Sequence, residues 1–408
     1  MGTYDGARQW GALILVLLLG LPGVCLVFSD LAVPPLVAVL IYGAGIMAGA
    51  FLFSWAAEVA ELDISASLAI AILALLTVLP EYVIEAVLAW DAGASFNTQT
   101  RELTDETSRV AANVTGANRL LIGVGWSIVI LVYWFTHRRA LDLRNRINVE
   151  LPFLTVAVLL TVVIFFMQGV HFLMAAALLG IYLVYLWLGS SGSAETPELA
   201  GVAARLGRLP ARWRRTAVLL LFLYAAGIIL VCADPFVEEL VETGRKLGVD
   251  DFILIQWIAP LASETPEIVV AVLFSMRANP GAGLAVLIAS EVNKFTLLVG
   301  SMVGIFSLSA GELLTFPLDS RQAAEFLLTA AYALFGLLLI ARRTVGWFPG
   351  VVLLATFVAH MFFPREDHRL WMAVAFFGLA ILLVVQDWRR LPLLFREDPV
   401  KEQPPAKS

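Results

Sequence analysis

The sequence is poor in the residues that build disulfide frameworks and metal–thiolate centres. Its 408 residues include two cysteines, Cys25 and Cys232, each inside an apolar run. The four histidines lie near the ends of such runs and form no cluster, and no Gly-rich phosphate-binding loop is present. These features exclude a disulfide-stapled domain, a zinc–thiolate site and a nucleotide-binding loop. We expect no organic cofactor.

Charged residues are scarce as well. They make up 15% of the chain, against about 25% in a typical soluble domain, whereas apolar residues make up 60%. The 33 acidic and 27 basic side chains give a formal net charge of −6. This composition excludes a disordered chain, a nucleic-acid-binding protein and an ordinary cytosolic domain.

Long apolar runs occupy most of the chain, and many are long enough to cross about 30 Å of hydrocarbon. Because an open sheet edge is not tolerated in lipid, these runs are predicted to be helices. The sequence predicts an all-α polytopic membrane protein with about twelve transmembrane helices. The predicted segments are 10–28, 34–57, 65–90, 109–135, 151–168, 170–189, 216–240, 252–275, 280–308, 323–341, 346–363 and 368–386.

The basic residues predict how these helices are oriented. Of the 27 Lys and Arg residues, 18 lie in alternate connections that would share one side of the membrane. Positive charge in short loops marks the cytoplasmic side. We therefore expect an integral, multi-pass protein of the cell inner membrane, with both termini cytoplasmic and membrane lipid as a partner.

Two similar segments lie 186 residues apart, at 76–86 and 262–271. Each places a hydroxyl residue three positions before a Pro-Glu step within an apolar run. The two Pro-Glu helices are the third and the eighth predicted spans. Because the step from one to the other is five spans, an odd number, the two units should run antiparallel across the membrane. Inverted repeats with interrupted helices are typical of secondary transporters. The sequence thus predicts an ion-driven transporter built from two inverted-topology five-helix repeats, with an extra helix at each end.

The Pro-Glu step predicts a cation site. Proline removes a backbone donor, so the carbonyls of Leu76 and Ala262 lose their usual helical partner, and we expect each helix to break there. A freed carbonyl at membrane depth needs a donor, water or a cation. Carboxylate, hydroxyl and carbonyl oxygens are ligands that Na⁺ and Ca²⁺ accept. The predicted cation ligands on these turns are Glu81, Glu267, Thr77 and Ser263, with the two carboxylates as the metal ligands.

The span after each Pro-Glu helix carries asparagines near its start. Asn113, Asn118 and Asn293 are predicted as further cation ligands or their supports, and hydrogen bonding between helices is the alternative. Five charged side chains lie in or beside these spans. Glu85 lies one turn after Glu81 and is a candidate gate, while Lys294 is expected to pair with Glu264 or Glu291. The fifth is Arg119. Lys294 and Arg119 are positively charged, and each would occupy a cation position permanently.

At these residues the chain resembles the cation/Ca²⁺ exchanger superfamily, which includes the sodium/calcium exchangers, as a divergent, bacterial-type member. The resemblance implies ten core helices in two inverted halves, each half with a Pro-Glu motif. It is carried in the second half by 233–237, 247–251 and 259–267, and in the first by Thr77, Pro80, Glu81, Asn113, Gly116 and Asn118. The family's Gly-Asn-x-x-Gly-Ser-Asn motif is only half kept at 112–118, where the sequence is Ala-Asn-Val-Thr-Gly-Ala-Asn. In the second copy, at 289–295, the sequence is Ala-Ser-Glu-Val-Asn-Lys-Phe, and Lys294 takes the place of the motif's serine.

The resulting interpretation is a secondary active cation antiporter that exchanges Na⁺ and Ca²⁺, or related cations, by alternating access. Its partners would be inorganic cations and lipid, with no nucleic acid and no obligate protein partner. A proton-coupled exchanger, a cation channel and a membrane-embedded enzyme remain as alternatives. The predicted organisation is an extra span (1–33), the first repeat (34–189), a basic cytoplasmic linker (190–215), the second repeat (216–363), and an extra span with a cytoplasmic tail (364–408).

Overall fold

A computed structural model describes most of the chain. The described residues are 2–29, 31–60, 62–63, 79–100, 102–144, 147–189, 199, 201–248, 251–276, 280–363 and 365–395. Thr77 lies outside these residues, as do the first part of the predicted third span, much of the predicted linker and the end of the predicted cytoplasmic tail (396–408).

The first half of the chain is almost entirely helical. Its helices are α1 (Gly2–Val27), α2 (Pro35–Ala60), α3 (Leu79–Ser95), α4 (Asp105–Leu120), α5 (Ser127–His137), α6 (Glu150–Met167) and α7 (Phe172–Gly189). A π-helical segment, Leu121–Trp126, joins α4 to α5 in one continuous rod. Two short strands, β1 (Leu141–Asp142) and β2 (Gly169–Val170), lie before and after α6.

The second half repeats this order. After a short helix α8 (Gly201–Gly207), the helices are α9 (Ala211–Leu247), α10 (Asp251–Met276), α11 (Pro280–Asn293), α12 (Val299–Ala310), α13 (Ser320–Ile340), α14 (Trp347–Met361), α15 (Glu366–Gln386) and the single turn α16 (Arg390–Leu393). A second π-helical segment, Lys294–Leu298, joins α11 to α12. Strands β3 (Phe316–Pro317) and β4 (Thr344–Val345) lie before and after α13.

The helices agree with the apolar runs. Each of the twelve predicted segments falls almost wholly within helical structure wherever its residues are described. Among the described residues, eight helices are long and apolar enough to cross a membrane, and Phe172–Leu188 and Trp347–Met361 are shorter apolar helices. The chain is an all-α, multi-pass membrane protein. The count of twelve spans stays a prediction.

The strand pairs show that the two halves are inverted. β1 pairs with β4, and β2 pairs with β3, both antiparallel. Because α6 separates β1 from β2 by 18 helical residues, or about 27 Å, the two pairs lie on opposite faces of the molecule, which we call the β1 face and the β2 face. The rod α4–α5 ends at the β1 face, whereas the equivalent rod α11–α12 ends at the β2 face. The equivalent rods are therefore antiparallel.

The backbone irregularity lies elsewhere than expected. The predicted break at the second Pro-Glu step is wrong, because α10 continues through Pro266 from Asp251 to Met276. Transmembrane helices tolerate proline where neighbouring groups satisfy the freed carbonyl. The irregular segments are instead the two π-helical ones, which begin just after Leu120 and just after Asn293. Such bulges often mark functional positions in a helix.

Packing distinguishes the interior from the lipid-facing surface. Most side chains of α4, α11 and α13 are buried, whereas α1, α7 and α15 expose large apolar side chains such as Leu15, Leu183 and Val385. Exposed apolar surface of this extent fits contact with lipid. The candidate site thus lies on the innermost helices.

Candidate functional site

Lys294 is the centre of a buried group of charges. It is the first residue of the second π-helical segment, and its side chain is 1% exposed. Its Nζ lies 2.5 Å from Oε1 of Glu264 on α10 and 3.8 Å from Oε2 of Glu81 on α3. Glu267 and Glu291 are also close enough for their charges to act on the ammonium group. Four carboxylates from three helices therefore surround one fixed cation; we call these five residues the Lys294 cluster.

Several oxygens of the cluster have no hydrogen-bond partner. Besides the two oxygens of Glu264, which pairs with Lys294, they are Oε1 of Glu81, Oε2 of Glu267 and both carboxylate oxygens of Glu291, and all are shielded from solvent. Buried polar atoms in proteins are normally hydrogen-bonded, so each exception calls for an explanation. Partnerless carboxylate oxygens inside a membrane protein are suited to binding a cation or a proton.

The asparagines differ in how their side chains are engaged. Asn113 Nδ2 donates to Oε2 of Glu85 at 2.8 Å, and both residues are buried. Asn118 Nδ2 donates to the carbonyl of Val114 at 2.7 Å, which leaves its own Oδ1 without a partner. Oδ1 of Asn293 is also without a partner. The amide oxygens of Asn118 and Asn293 are thus available to a ligand, and the gating role predicted for Glu85 stays a prediction.

Ser263 lies one turn before Glu267 and is buried. Its hydroxyl donates within its own helix, to the carbonyls of Ala259 at 3.4 Å and Pro260 at 3.3 Å. Serine hydroxyls in helices commonly make such bonds. A hydroxyl oxygen that donates in this way keeps its lone pairs, so Ser263 stays a predicted ligand.

A close helix crossing holds the asparagine helix against the second Pro-Glu helix. Gly116 of α4, which lies between Asn113 and Asn118, packs on the backbone of Gln256 in α10 so closely that a methyl group there would overlap the Gln256 carbonyl. Small residues permit such approach between transmembrane helices. The crossing fixes α4 relative to the helix that carries Glu264 and Glu267.

The cluster is not a preformed metal cage. In the part of the chain that the structure describes, no three His, Cys, Asp or Glu side chains converge closely enough to hold a metal ion. One of the four carboxylates, Glu264, is paired with Lys294 and is therefore not available as a metal ligand. A bound cation would take its other ligands from amide, hydroxyl or carbonyl oxygens, which Ca²⁺ accepts.

Arg119 belongs to a separate group of buried charges. Its Nη1 lies 2.5 Å from Oε2 of Glu325 on α13, and Nε of Arg369 on α15 lies 3.1 Å from Oε1 of the same carboxylate. The structure therefore pairs Arg119 with Glu325 and places it outside the Lys294 cluster. Sequence reasoning missed Glu325 and Arg369, although a carboxylate inside the apolar run 323–341 is a signal that would have found the first.

A family model for the sodium/calcium exchanger protein matches residues 33–189 and 217–365. The chain belongs to this family. The match covers both inverted halves and leaves out α1, α15, α16 and the residues between 189 and 217.

Solved structures of exchangers share the fold. The crystal structure of an H⁺/Ca²⁺ exchanger, CAX, is 35% identical, with a TM-score of 0.89 over 96% of this chain and 98% of that one. The sodium–calcium exchanger NCX_Mj is 16% identical, with a TM-score of 0.54 over 81% of this chain and 98% of that one, so it shows the fold alone.

A curated relative is the sodium/calcium exchanger MaX1 of Methanosarcina acetivorans, which is 26% identical over 137 residues. This match spans about a third of either protein: 33% of this chain and 36% of that relative. Taken with the family match and the solved structures, it places the chain in a family of membrane transporters of the cation-exchanger class.

Proposed function

We propose that the protein exchanges Ca²⁺ for protons, with Glu81 and Glu267 as the groups that bind either the divalent cation or the protons. The two carboxylates occupy matching Pro-Glu positions on α3 and α10. Asn118, Asn293, Ser263 and Thr77 would add neutral oxygens to the calcium site, and the cations are the transported substrate.

The observation that carries this proposal is the charge balance of the Lys294 cluster. Lys294 and Glu264 form a close pair with no net charge. Glu81, Glu267 and Glu291 remain, and among the described residues Lys294 is the only cation whose charge acts on them. An isolated ionised carboxylate is very costly to bury in an apolar interior, so each such group takes up a proton or a cation. One Ca²⁺ neutralises two carboxylates, Glu81 and Glu267, and two protons do the same when it leaves, while the third carboxyl group, Glu291, keeps its proton throughout.

This balance gives the transporter a cycle. Glu81 and Glu267 bind Ca²⁺ on one side of the membrane, the site changes its exposure, and protons from the other side replace the ion. Neither occupied form carries an uncompensated pair of carboxylates through the hydrocarbon. The empty, ionised form does, and its high energy prevents the site from changing sides without a load. Obligatory exchange follows from this difference.

The comparisons support the same proposal. The H⁺/Ca²⁺ exchanger CAX aligns over 96% of the chain at 35% identity, which is more extensive than the match to the sodium/calcium exchanger MaX1. Sodium coupling is the second candidate, favoured by the MaX1 match and by the partnerless amide oxygens of Asn118 and Asn293.

Flux measurements on purified protein in liposomes test the proposal. Ca²⁺ uptake is followed first under an imposed pH gradient without Na⁺, and then under an imposed Na⁺ gradient at equal pH. We expect the pH gradient alone to drive uptake. If only the Na⁺ gradient does so, the protein is sodium-coupled, and if neither gradient changes a passive Ca²⁺ flux, it is a channel.

A further inference from the structure

The second buried charge group joins helices that lie far apart in the sequence. Arg119, Glu325 and Arg369 come from α4, α13 and α15, and their side chains are 1%, 1% and 3% exposed. Both arginines contact the one carboxylate of Glu325, at 2.5 Å and 3.1 Å. Charge-assisted contacts of this length are among the strongest polar interactions in a protein interior. We call these three residues the Glu325 triad.

Arg369 reaches the triad from outside the matched family core. The family match ends at residue 365, and α15 begins at Glu366. Arg369 lies in the first turn of α15 and Glu325 in the second turn of α13, both near the β2 face. The extra helix therefore contributes a buried charge to the interior of the second repeat.

Arg119 links the triad to the candidate cation site. It directly follows Asn118, and its Nε donates to the carbonyl of Thr115 at 3.2 Å. Its guanidinium carbon lies 5.4 Å from the centre of the Trp257 ring, on the helix that carries Glu264 and Glu267. Arg119 thus contacts both helices of the Gly116 crossing, within one turn of an asparagine whose amide oxygen has no partner.

We propose that Arg369 is a positioning residue for the cation site, acting through Glu325 and Arg119. It holds the carboxylate of Glu325 in place, Glu325 holds Arg119, and Arg119 fixes the turn of α4 that carries Asn118. The inference rests on the proposed function only in taking Asn118 as part of the Ca²⁺ site.

The geometry explains why one carboxylate needs two arginines. Arg119 alone would leave Oε1 of Glu325 without a charged partner in a fully buried position, and the carboxylate would be held less firmly. With Arg369 bound to Oε1, the plane of the carboxylate is fixed at both oxygens. A fixed acceptor holds the Arg119 guanidinium against Trp257.

Transport kinetics on variants of the whole protein test this role. The variants are Arg369→Gln, Arg369→Lys, Glu325→Gln and the double variant Glu325→Gln/Arg369→Gln. Arg365→Gln is the matched control, because Arg365 lies four residues earlier, and its side chain is 75% exposed and lies 3.9 Å from Asp367. The apparent KM for Ca²⁺, the maximal rate per folded protein and the melting temperature are measured for each.

We expect Arg369→Gln to raise the KM for Ca²⁺ by about fivefold, as for other substitutions that act through a packed network, and to leave the maximal rate within about twofold. Arg369→Lys, which keeps the charge, should recover most of the affinity, and Arg365→Gln should match the wild type. The double variant should have the KM of Glu325→Gln alone, because Arg369 acts only through Glu325.

Other outcomes overturn the proposal. A lower melting temperature with unchanged KM would make Arg369 a purely structural residue, and a further rise of KM in the double variant would show a route that bypasses Glu325. If Arg369→Gln does not fold, the KM of Glu325→Gln is compared with that of the double variant, and the proposal requires the two values to be equal. The KM for Ca²⁺ is measured under whichever gradient, H⁺ or Na⁺, drives uptake by the wild type. The test of Arg369 therefore remains valid even if the protein is not proton-coupled.

Discussion

The ammonium nitrogen of Lys294 lies 2.5 Å from a carboxylate oxygen of Glu264. This contact joins the rod α11–α12, at its π-helical segment, to the second Pro-Glu helix. Glu81 from the first Pro-Glu helix lies 3.8 Å from the same nitrogen. A single fixed cation therefore contacts both halves of the inverted repeat. Its charge offsets one carboxylate, and the proposed exchange uses two of the others, Glu81 and Glu267.

The first prediction concerns Glu81 and Glu267. Glu81→Gln and Glu267→Gln should each abolish Ca²⁺ exchange, because a neutral amide cannot compensate a divalent cation. Folding should survive, since the substitution removes the need to bury a charge. Proteoliposome flux and melting curves measure the two effects. Glu242→Gln, at an exposed position on α9, is the control and should transport like the wild type. Normal exchange in either variant would remove that residue from the site.

The second prediction concerns the Lys294–Glu264 pair. Lys294→Met should destabilise the protein by about 3–5 kcal/mol, because it leaves a buried carboxylate without its partner. The double variant Lys294→Met/Glu264→Gln should recover most of that loss, since neither charge is then stranded. Chemical unfolding in detergent gives the three free energies needed for a double-mutant cycle. Equal stability of the single variant and the wild type would mean that the lysine does not form this pair.

The third prediction tests the crossing of α4 and α10. Gly116→Ala should lower stability by about 1–3 kcal/mol and raise the KM for Ca²⁺, because its methyl group pushes the asparagine helix away from Gln256. Gly304→Ala is the control, since a methyl group at Gly304 of α12 would meet no atom within 4 Å. If both variants behave alike, close approach at Gly116 does not position the site.

The fourth prediction concerns Asp63, which lies beyond the end of α2. Arg214 donates to both of its carboxylate oxygens, at 2.7 and 2.8 Å, and Arg215 donates to one at 3.0 Å. These contacts, led by the Arg214 hydrogen bonds, lower the pKa of Asp63 to about 2. A carboxyl with a depressed pKa stabilises the fold above its unfolded pKa of about 4 and loses that contribution as the pH falls towards its folded pKa.

Asp63→Asn should therefore be less stable than the wild type by a constant margin between pH 5 and pH 8. The margin should narrow below about pH 4, as the wild-type carboxylate takes up its proton. Melting temperatures of both proteins across this range measure it. A margin that is the same at pH 3 and pH 7 would show that the Asp63 charge does not hold α9 in place.

The fifth prediction concerns orientation. In a background without Cys25 and Cys232, single cysteines at positions 142 and 401 should react with an impermeant thiol reagent from the cytoplasmic side. A cysteine at position 105 should react from the outside, because basic residues concentrate in the connections on the β1 face. Labelling of positions 105 and 142 from the same side would contradict the path of the rod α4–α5.

Much of the fold follows from local sequence. Apolar length predicts the helices, because the hydrocarbon thickness sets how many residues a span needs. The two Pro-Glu segments predict the inversion through the odd number of spans from one to the other. The continuity of α10 through Pro266 does not follow, because it depends on neighbouring groups that satisfy the freed carbonyl. The π-helical segments at Leu121 and Lys294 likewise have no signal in the apolar pattern.

The site is predictable only in part. Glu81, Glu264, Glu291 and Lys294 stand out because charges inside apolar runs are rare and costly. Their mutual contacts depend on how α3, α10 and α11 pack, and for that reason sequence spacing alone left the partner of Lys294 open between two carboxylates. The Glu325 triad unites residues from three distant helices, one of them outside the family match, and no local pattern relates them.

The central claim is that Ca²⁺ and protons compete for Glu81 and Glu267. It is tested most directly by recording the internal pH of weakly buffered, Na⁺-free proteoliposomes after Ca²⁺ is added outside. We predict that the lumen becomes more alkaline as Ca²⁺ enters, with about two protons leaving per ion, since two carboxylates exchange their occupants. Glu81→Gln proteoliposomes should show neither change. Calcium entry without movement of protons, or entry that requires internal Na⁺, would contradict the account.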